Sequence, residues 1–206
     1  AGDRPDDGAG WRDAVTLWLL PRLKLLFGIA AVMVVLQLIN SLDGYSLNRL
    51  GLIPREVQAL PGILLAPWLH GSWLHLFGNL SGFMVLGALA LLESRGEFIR
   101  ASLFIIVASG VLVWLFGRPG IHVGSSGWLF GLWGLLLGRA WFRRSFADLL
   151  LAALALLLYG GFFYGLLPQQ GVSFEYHLAG ALCGGLYASW QRGGQKRRSR
   201  KRTRQG

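Results

Sequence analysis

The chain has one cysteine in 206 residues, Cys183, which excludes an intrachain disulfide and any metal cluster built on thiolates. Charge is scarce too. Only 15% of residues are Asp, Glu, Lys or Arg against 53% hydrophobic, which is too few for the surface of one or two soluble domains. Acidic side chains are the scarcest, ten against twenty Lys and Arg, for a net charge of +10. That excess does not indicate a nucleic-acid partner. Eight of the basic residues fall between Arg192 and Arg204, with no aromatics among them, and read as a tail that touches anionic lipid headgroups. No internal repeat and no second globular domain is apparent.

What the chain has in abundance is apolar length. Several runs approach the ~20 residues needed to cross a ~30 Å hydrocarbon core. Six spans can be drawn, at 17–38, 73–92, 98–116, 126–142, 149–167 and 176–190. The fold class is therefore all-α, a polytopic membrane bundle over 17–191, preceded by a polar segment at 1–16 and followed by a basic tail at 192–206. Pro21 falls near the start of the first span, where helical N–H groups are spare. The connection from Asn40 to Ser72 is rich in Pro and Gly yet oily, as expected of a loop resting on the bilayer interface. Orientation follows from Lys and Arg counts. Seventeen lie on the side of both termini, and only Arg49, Arg55 and Arg118 on the other, which predicts cytoplasmic termini and an outward-facing first loop.

In this topology spans two, four and six all begin on the outer side, and the polar residues gather at those beginnings. His75 and Asn79 open span two, Ser126 opens span four, and His177 opens span six. A hydroxyl and an imidazole are a nucleophile and its general base, and polar groups inside a membrane are usually functional. His75 and Asn79 are i, i+4, hence on one helical face. The first-turn N–H groups around Ser126, with His75 and Asn79, are candidate oxyanion donors. Phe130, at i+4 from Ser126, lies where a ring can stack on His177. Gly127 and its stripe (Gly131, Gly134, Gly138) face Gly180 and Gly184, at i+3 and i+7 from His177, so spans four and six are expected to approach closely. Span four covers only ~26 Å at 1.5 Å per residue, so its outer end is expected to be sunk in a water-filled cavity. Blander readings exist. Gly124-Ser125-Ser126-Gly127 is also an ordinary helix-start turn with a serine cap, and a membrane histidine is also helix glue. His70 and His122 lie in or near loops, and His70 is a candidate brace for the loop into span two. Glu175, two residues from His177, is on another face. With no other acid near, a Ser–His dyad fits better than a triad.

These motifs resemble those of the rhomboid family of intramembrane serine proteases. Gly124-Ser125-Ser126-Gly127 matches the family's Gly-x-Ser-Gly, His70 through His75 to Asn79 matches its His-x4-His-x3-Asn run, and His177, Gly180 and Gly184 match its sixth span. The resemblance covers about residues 25–190. It implies Ser126 as nucleophile, His177 as base, His75 and Asn79 as oxyanion donors, and an aromatic, Phe130, under the histidine. It implies no metal or cofactor. Many members carry a Trp-Arg pair in the first loop, and none is evident here.

The function expected is a serine endopeptidase that cleaves transmembrane proteins in or near their spans, with membrane lipids as surroundings and oligomeric state unspecified. The rivals are a catalytically silent rhomboid-like protein that binds membrane clients, and a channel or transporter lined by the same polar groups.

Overall fold

The computed structural model describes residues 7–169 and 171–203, with side chains from 10 to 192. Eight α-helices follow one another: α1 Asp7–Leu42, α2 Gly62–Leu65, α3 Trp73–Leu91, α4 Arg95–Phe116, α5 Ser126–Arg143, α6 Phe146–Tyr159, α7 Phe162–Gly165 and α8 Phe174–Thr203. Among the described residues the only strand-like pairing is one antiparallel bridge between Leu52 and His122. The architecture is an all-α, polytopic membrane bundle. Gly10–Leu42, Trp73–Leu91 and Arg95–Phe116 are each long and apolar enough to cross a membrane by length and composition. The helix that carries the expected nucleophile is the best shielded. Thirteen of the eighteen residues of α5 are buried, under α3, α4, α6 and above all α8.

Local sequence explains most helix starts. Ser72, Ser94 and Ser145 cap α3, α4 and α6, each hydroxyl accepting the backbone N–H three residues on. A core of Phe83, Phe98 and Trp128 ties α3, α4 and α5 together, with Phe83 and Trp128 ring centroids 4.9 Å apart. A second apolar cluster (Leu52, Ala66, Val113, Tyr176, Ala179) pins the first loop against α4 and α8.

Three expectations need correcting. The first helix extends well upstream of residue 17, so Pro21 lies inside it and not near its start. Gly8 and Gly10 weaken the helix upstream of Leu17 without ending it, and the interior proline costs one backbone hydrogen bond. Span five does not run to 167. It stops at Tyr159, where the Gly160-Gly161 pair interrupts the helix, and resumes only as the single turn α7. The sixth helix does not end near 190 but continues to Thr203 without a break. The side chains beyond Arg192, on which the tail–lipid expectation rests, lie outside the described residues.

The first loop is held without a Trp-Arg pair of its own. Arg55 donates to the Gly117 carbonyl at 2.9 Å, and Trp114 of α4 returns its indole N–H to the Glu56 carbonyl at 2.9 Å. Nearer the site, Asn40 of α1 donates to Asn48 at 2.9 Å, and both amides reach the His70 carbonyl at 3.4 Å. At the opposite end of the bundle a charged knot joins α5 and α8 to the turn between α3 and α4. Arg139, almost fully buried, pairs with Glu93 at 3.0 Å and donates to Gln191 at 3.1 Å, while Arg143 pairs with the same carboxylate at 3.0 Å. Breaking one partner of such a buried pair is costly.

Candidate active site

The starts of α3, α5 and α8 converge on one cavity of about 870 Å³ whose walls include His75, Asn79, His122, Ser126 and His177. Ser126 is the first residue of α5, and its Oγ lies 2.9 Å from His177 Nε2. The other ring nitrogen, Nδ1, lies 2.8 Å from the carbonyl oxygen of Gly165. A carbonyl only accepts, so Nδ1 carries the proton and Nε2 is left with a lone pair toward the serine hydroxyl. That is the tautomer a general base needs. Phe130 stacks on the imidazole, centroids 4.1 Å apart and planes within 5°. Phe162 of α7 stacks on Phe130 in turn, at 4.3 Å and 17°.

His75 and Asn79 face the serine side. The Gly71 N–H approaches His75 Nδ1 at 3.5 Å, which leaves the His75 Nε2–H free for the cavity. Asn79 Nδ2 is buried with no hydrogen-bond partner in the protein. An unpaired buried amide is costly unless something fills it, and the cavity is where a substrate oxygen would. Gly124 makes room for both groups. Its φ of +115° suits glycine, and a Cβ there would sit 2.6 Å from His75 Nε2 and 3.2 Å from Asn79 Nδ2. With the free N–H groups of the first turn of α5, these donors surround the space in front of Ser126.

Ser125 does not cap α5: it makes no side-chain cap bond. It is fully buried, its Oγ 3.5 Å from His70 Nε2. His70 is also fully buried, edge-on to His75 at 5.1 Å. Burial, with His75 beside it, pushes the His70 imidazole down to about 3, so the ring is neutral at any physiological pH. It braces the Ser125 turn and His75 and has no hydrogen bond to Ser126 or His177. His122 is likewise a brace, with Nδ1 2.7 Å from Ser173 Oγ and Nε2 3.0 Å from the Arg118 carbonyl. Glu175 is committed elsewhere: it forms an ion pair with Arg118, which also donates to the Val172 carbonyl at 2.9 Å. Arg118, His122, Ser173 and Glu175 thus strap the α4–α5 loop to the start of α8 beside the cavity.

Close approach of α5 and α8 is visible at three glycines. A Cβ on Gly180 would run into the carbonyl oxygen of Gly127, one on Gly184 into that of Gly131, and one on Gly134 into Ala181. No side chain fits between these backbones.

Sequence reading missed the Gly165 carbonyl. Its only signal was the Gly160-Gly161 pair, which marks a helix break but not what the broken end touches. The Arg118–Glu175 strap was missed because its members are far apart in sequence.

The sequence profile of the Rhomboid domain matches residues 58–192, which contain every residue of this site. An uncharacterised protein of Mycobacterium tuberculosis is 33% identical over 199 residues, covering 92% of this chain and 82% of its own length. An uncharacterised protein of Mycobacterium leprae is 33% identical over 177 residues, 81% of this chain and 70% of its own. RHOMBOID-like protein 1 of Arabidopsis thaliana is 33% identical over 127 residues, 58% of this chain and 31% of its own. With its serine–histidine pair on α5 and α8 inside the matched domain, this chain belongs to the Rhomboid family.

Proposed function

We propose that the chain is an intramembrane serine endopeptidase that cuts transmembrane proteins in or beside their spans. The observation that carries this is the 2.9 Å contact between Ser126 Oγ and His177 Nε2, with Nδ1 committed to a carbonyl. Ser126 Oγ attacks the scissile carbonyl carbon while His177 Nε2 takes its proton. The tetrahedral oxyanion is met by Asn79 Nδ2–H, His75 Nε2–H and the Ser126 backbone N–H. The imidazolium then protonates the leaving amine as the C–N bond breaks. Water, deprotonated by His177, releases the acyl group from Ser126. Phe130 holds the ring flat throughout. A substrate helix has to unwind locally to offer its carbonyl, so helix-breaking residues near the cut and a small residue before it are favoured. On this reading residues 17–191 are the catalytic unit, the site opens to the outer side of a bacterial inner membrane, and both termini are cytoplasmic. Among the described residues no carboxylate lines the site cavity, which disfavours a cation pathway.

The test is a fluorophosphonate, which labels an activated serine by forming an Oγ–P bond with loss of fluoride. Purified wild-type protein is expected to label at Ser126; a folded protein that stays unlabelled would be a silent client binder instead. The donors are then separable from the dyad. Asn79→Ala is expected to lower kcat by ~10²–10³ with little change in KM, since its bond forms in the transition state. It should still label, more slowly. A normal kcat would make Asn79 a structural residue, and a folded Asn79→Ala or His75→Ala protein that never labels would make these residues activators of the serine.

Gly165 supplies another check. A Cβ there would sit 2.6 Å from Phe130 Cζ and 3.4 Å from His177 Nδ1, in a ring stack with no slack. Gly165→Ala is therefore expected to push the α7 segment off the imidazole and cost about 10²-fold in kcat, with labelling slowed in parallel. Unchanged labelling would show that the carbonyl is not needed to orient the base.

A further inference from the structure

The far end of the bundle holds a second polar cleft, of about 530 Å³, between α1 and the start of α4. It lies across the length of α3 from the catalytic pair, because α3 starts beside the site and ends at Leu91. We propose that this cleft binds one anionic phospholipid, with Arg22 and Arg95 gripping the phosphodiester and Leu25 and Ile99 receiving the adjoining glycerol and acyl chain.

The arginines carry the proposal. Nearby acids at this end are taken: Glu93 by Arg139 and Arg143, and Glu97 by Arg100. Among the described residues neither Arg22 nor Arg95 has a carboxylate partner. Two cations in one cleft without a counter-ion repel each other, and an anion between them relieves that. Arg22 is also pre-positioned. Its Nε donates to the Leu91 carbonyl at 3.1 Å, its Nη1 to the Trp18 carbonyl at 2.6 Å, and the guanidinium lies 4.0 Å over the Trp18 ring. Its Nη2 remains uncommitted. A guanidinium already held in place loses little freedom on binding, and its planar fork suits phosphate oxygens.

The apolar residues point to a lipid rather than a free phosphate. Leu25 is i+3 from Arg22 and Ile99 is i+4 from Arg95, so each helix contributes an arginine and, one turn further along the same face, an apolar side chain. Both helices are long and apolar enough to span a membrane. The cleft therefore grades from cationic to apolar in the direction in which a phospholipid grades from headgroup to acyl chain.

The probe is phosphatidylglycerol, added to the full chain in a neutral detergent and followed by native mass spectrometry, with phosphatidylcholine and inorganic phosphate as comparisons. About 1 kcal/mol per basic residue near a lipid surface is about fivefold in affinity, so Arg22→Gln/Arg95→Gln should weaken retention of one phosphatidylglycerol about 25-fold. Replacing the Lys and Arg from Arg192 to Arg204 by Gln should leave that single lipid in place, which separates the cleft from the tail. Arg95→Glu alone guards against misfolding. The side chain is exposed, and an acid in the first turn of a helix favours the fold, yet retention should drop at least fivefold while fluorophosphonate labelling stays unchanged. The proposal is overturned if both arginine variants retain the lipid as wild type does, if phosphatidylcholine is held as tightly as phosphatidylglycerol, or if inorganic phosphate competes at equal concentration. The last result would make the cleft a free-anion site.

Discussion

Replacing Ser126 by Ala, or His177 by Ala, is expected to reduce cleavage of a membrane-spanning substrate by on the order of 10⁶, the loss seen when a serine hydrolase loses its nucleophile or its base. The fold should survive. Ser126 is only partly buried and contributes a single hydroxyl to the cavity, so Ser126→Ala removes one hydrogen bond and creates no void. The double variant should be no worse than either single one, because the two groups act as a unit. Ser125 is the internal control. It is fully buried against His70, 3.5 Å away, and cannot be brought to the cavity without unwinding the turn. Ser125→Ala should cost about 1 kcal/mol of stability through the lost contact and leave most of the activity. Kinetics on purified variants, with a melting curve for each, decide the matter. An inactive Ser125→Ala beside an active Ser126→Ala would transfer the nucleophile to the neighbouring residue.

The second large effect is on the bundle itself. Gly180→Val and Gly184→Val place a branched side chain where the carbonyl oxygens of Gly127 and Gly131 already stand. Neither oxygen belongs to a movable side chain, so α5 and α8 must separate. Overpacking of this kind costs 1–3 kcal/mol or more, which for a chain of this size is a drop of roughly 6–12 °C in Tm at the upper end. Activity should fall with it, since the same two helices carry Ser126 and His177. Gly185 provides the contrast. The nearest atom to a Cβ there is the Gly134 carbonyl oxygen at 4.0 Å, and alanine is the better helix former. Gly185→Ala is expected to be neutral or mildly stabilising. Full stability and activity in both valine variants would remove close backbone contact as the reason for the glycines.

These outcomes separate what was legible in the sequence from what was not. The three motifs could be read because their chemistry sits in side chains at helical spacings. Ser126 and His177 announce a nucleophile and a base, Phe130 falls one turn below the serine, and Gly180 and Gly184 repeat on the histidine's own face. The bounds of α3 and α5 were equally legible, since a capping serine or a Gly-Ser turn starts each one. The orienting carbonyl of Gly165 could not be read, because every residue has a carbonyl and only the tertiary fold says which one meets an imidazole. Arg139 shows a different blindness. Counted along the chain it is one more positive charge at a membrane boundary, yet it is almost wholly buried and neutralised by Glu93. The first loop was opaque for a similar reason, its clamp joining Arg55 to the end of α4 and Trp114 back to Glu56. The overlong first helix was opaque too, because Gly8 and Gly10 argue locally against a helix that nevertheless runs through both.

The ring stack also has a spectroscopic consequence. The imidazole of His177 lies parallel to the face of Phe130 at 4.1 Å, so its carbon-bound protons sit in the shielding region of a benzene ring current. Their resonances should appear upfield of those of His122, whose nearest aromatic is Tyr176, tilted at 6.4 Å. The α7 segment supplies both Phe162 behind Phe130 and the carbonyl that holds Nδ1. Any state in which that segment moves away frees the imidazole to turn off the ring, and its lines then drift toward the position of a free histidine. A proton spectrum of protein labelled only at histidine would thus record how much of the population has its base in register, without a substrate being present.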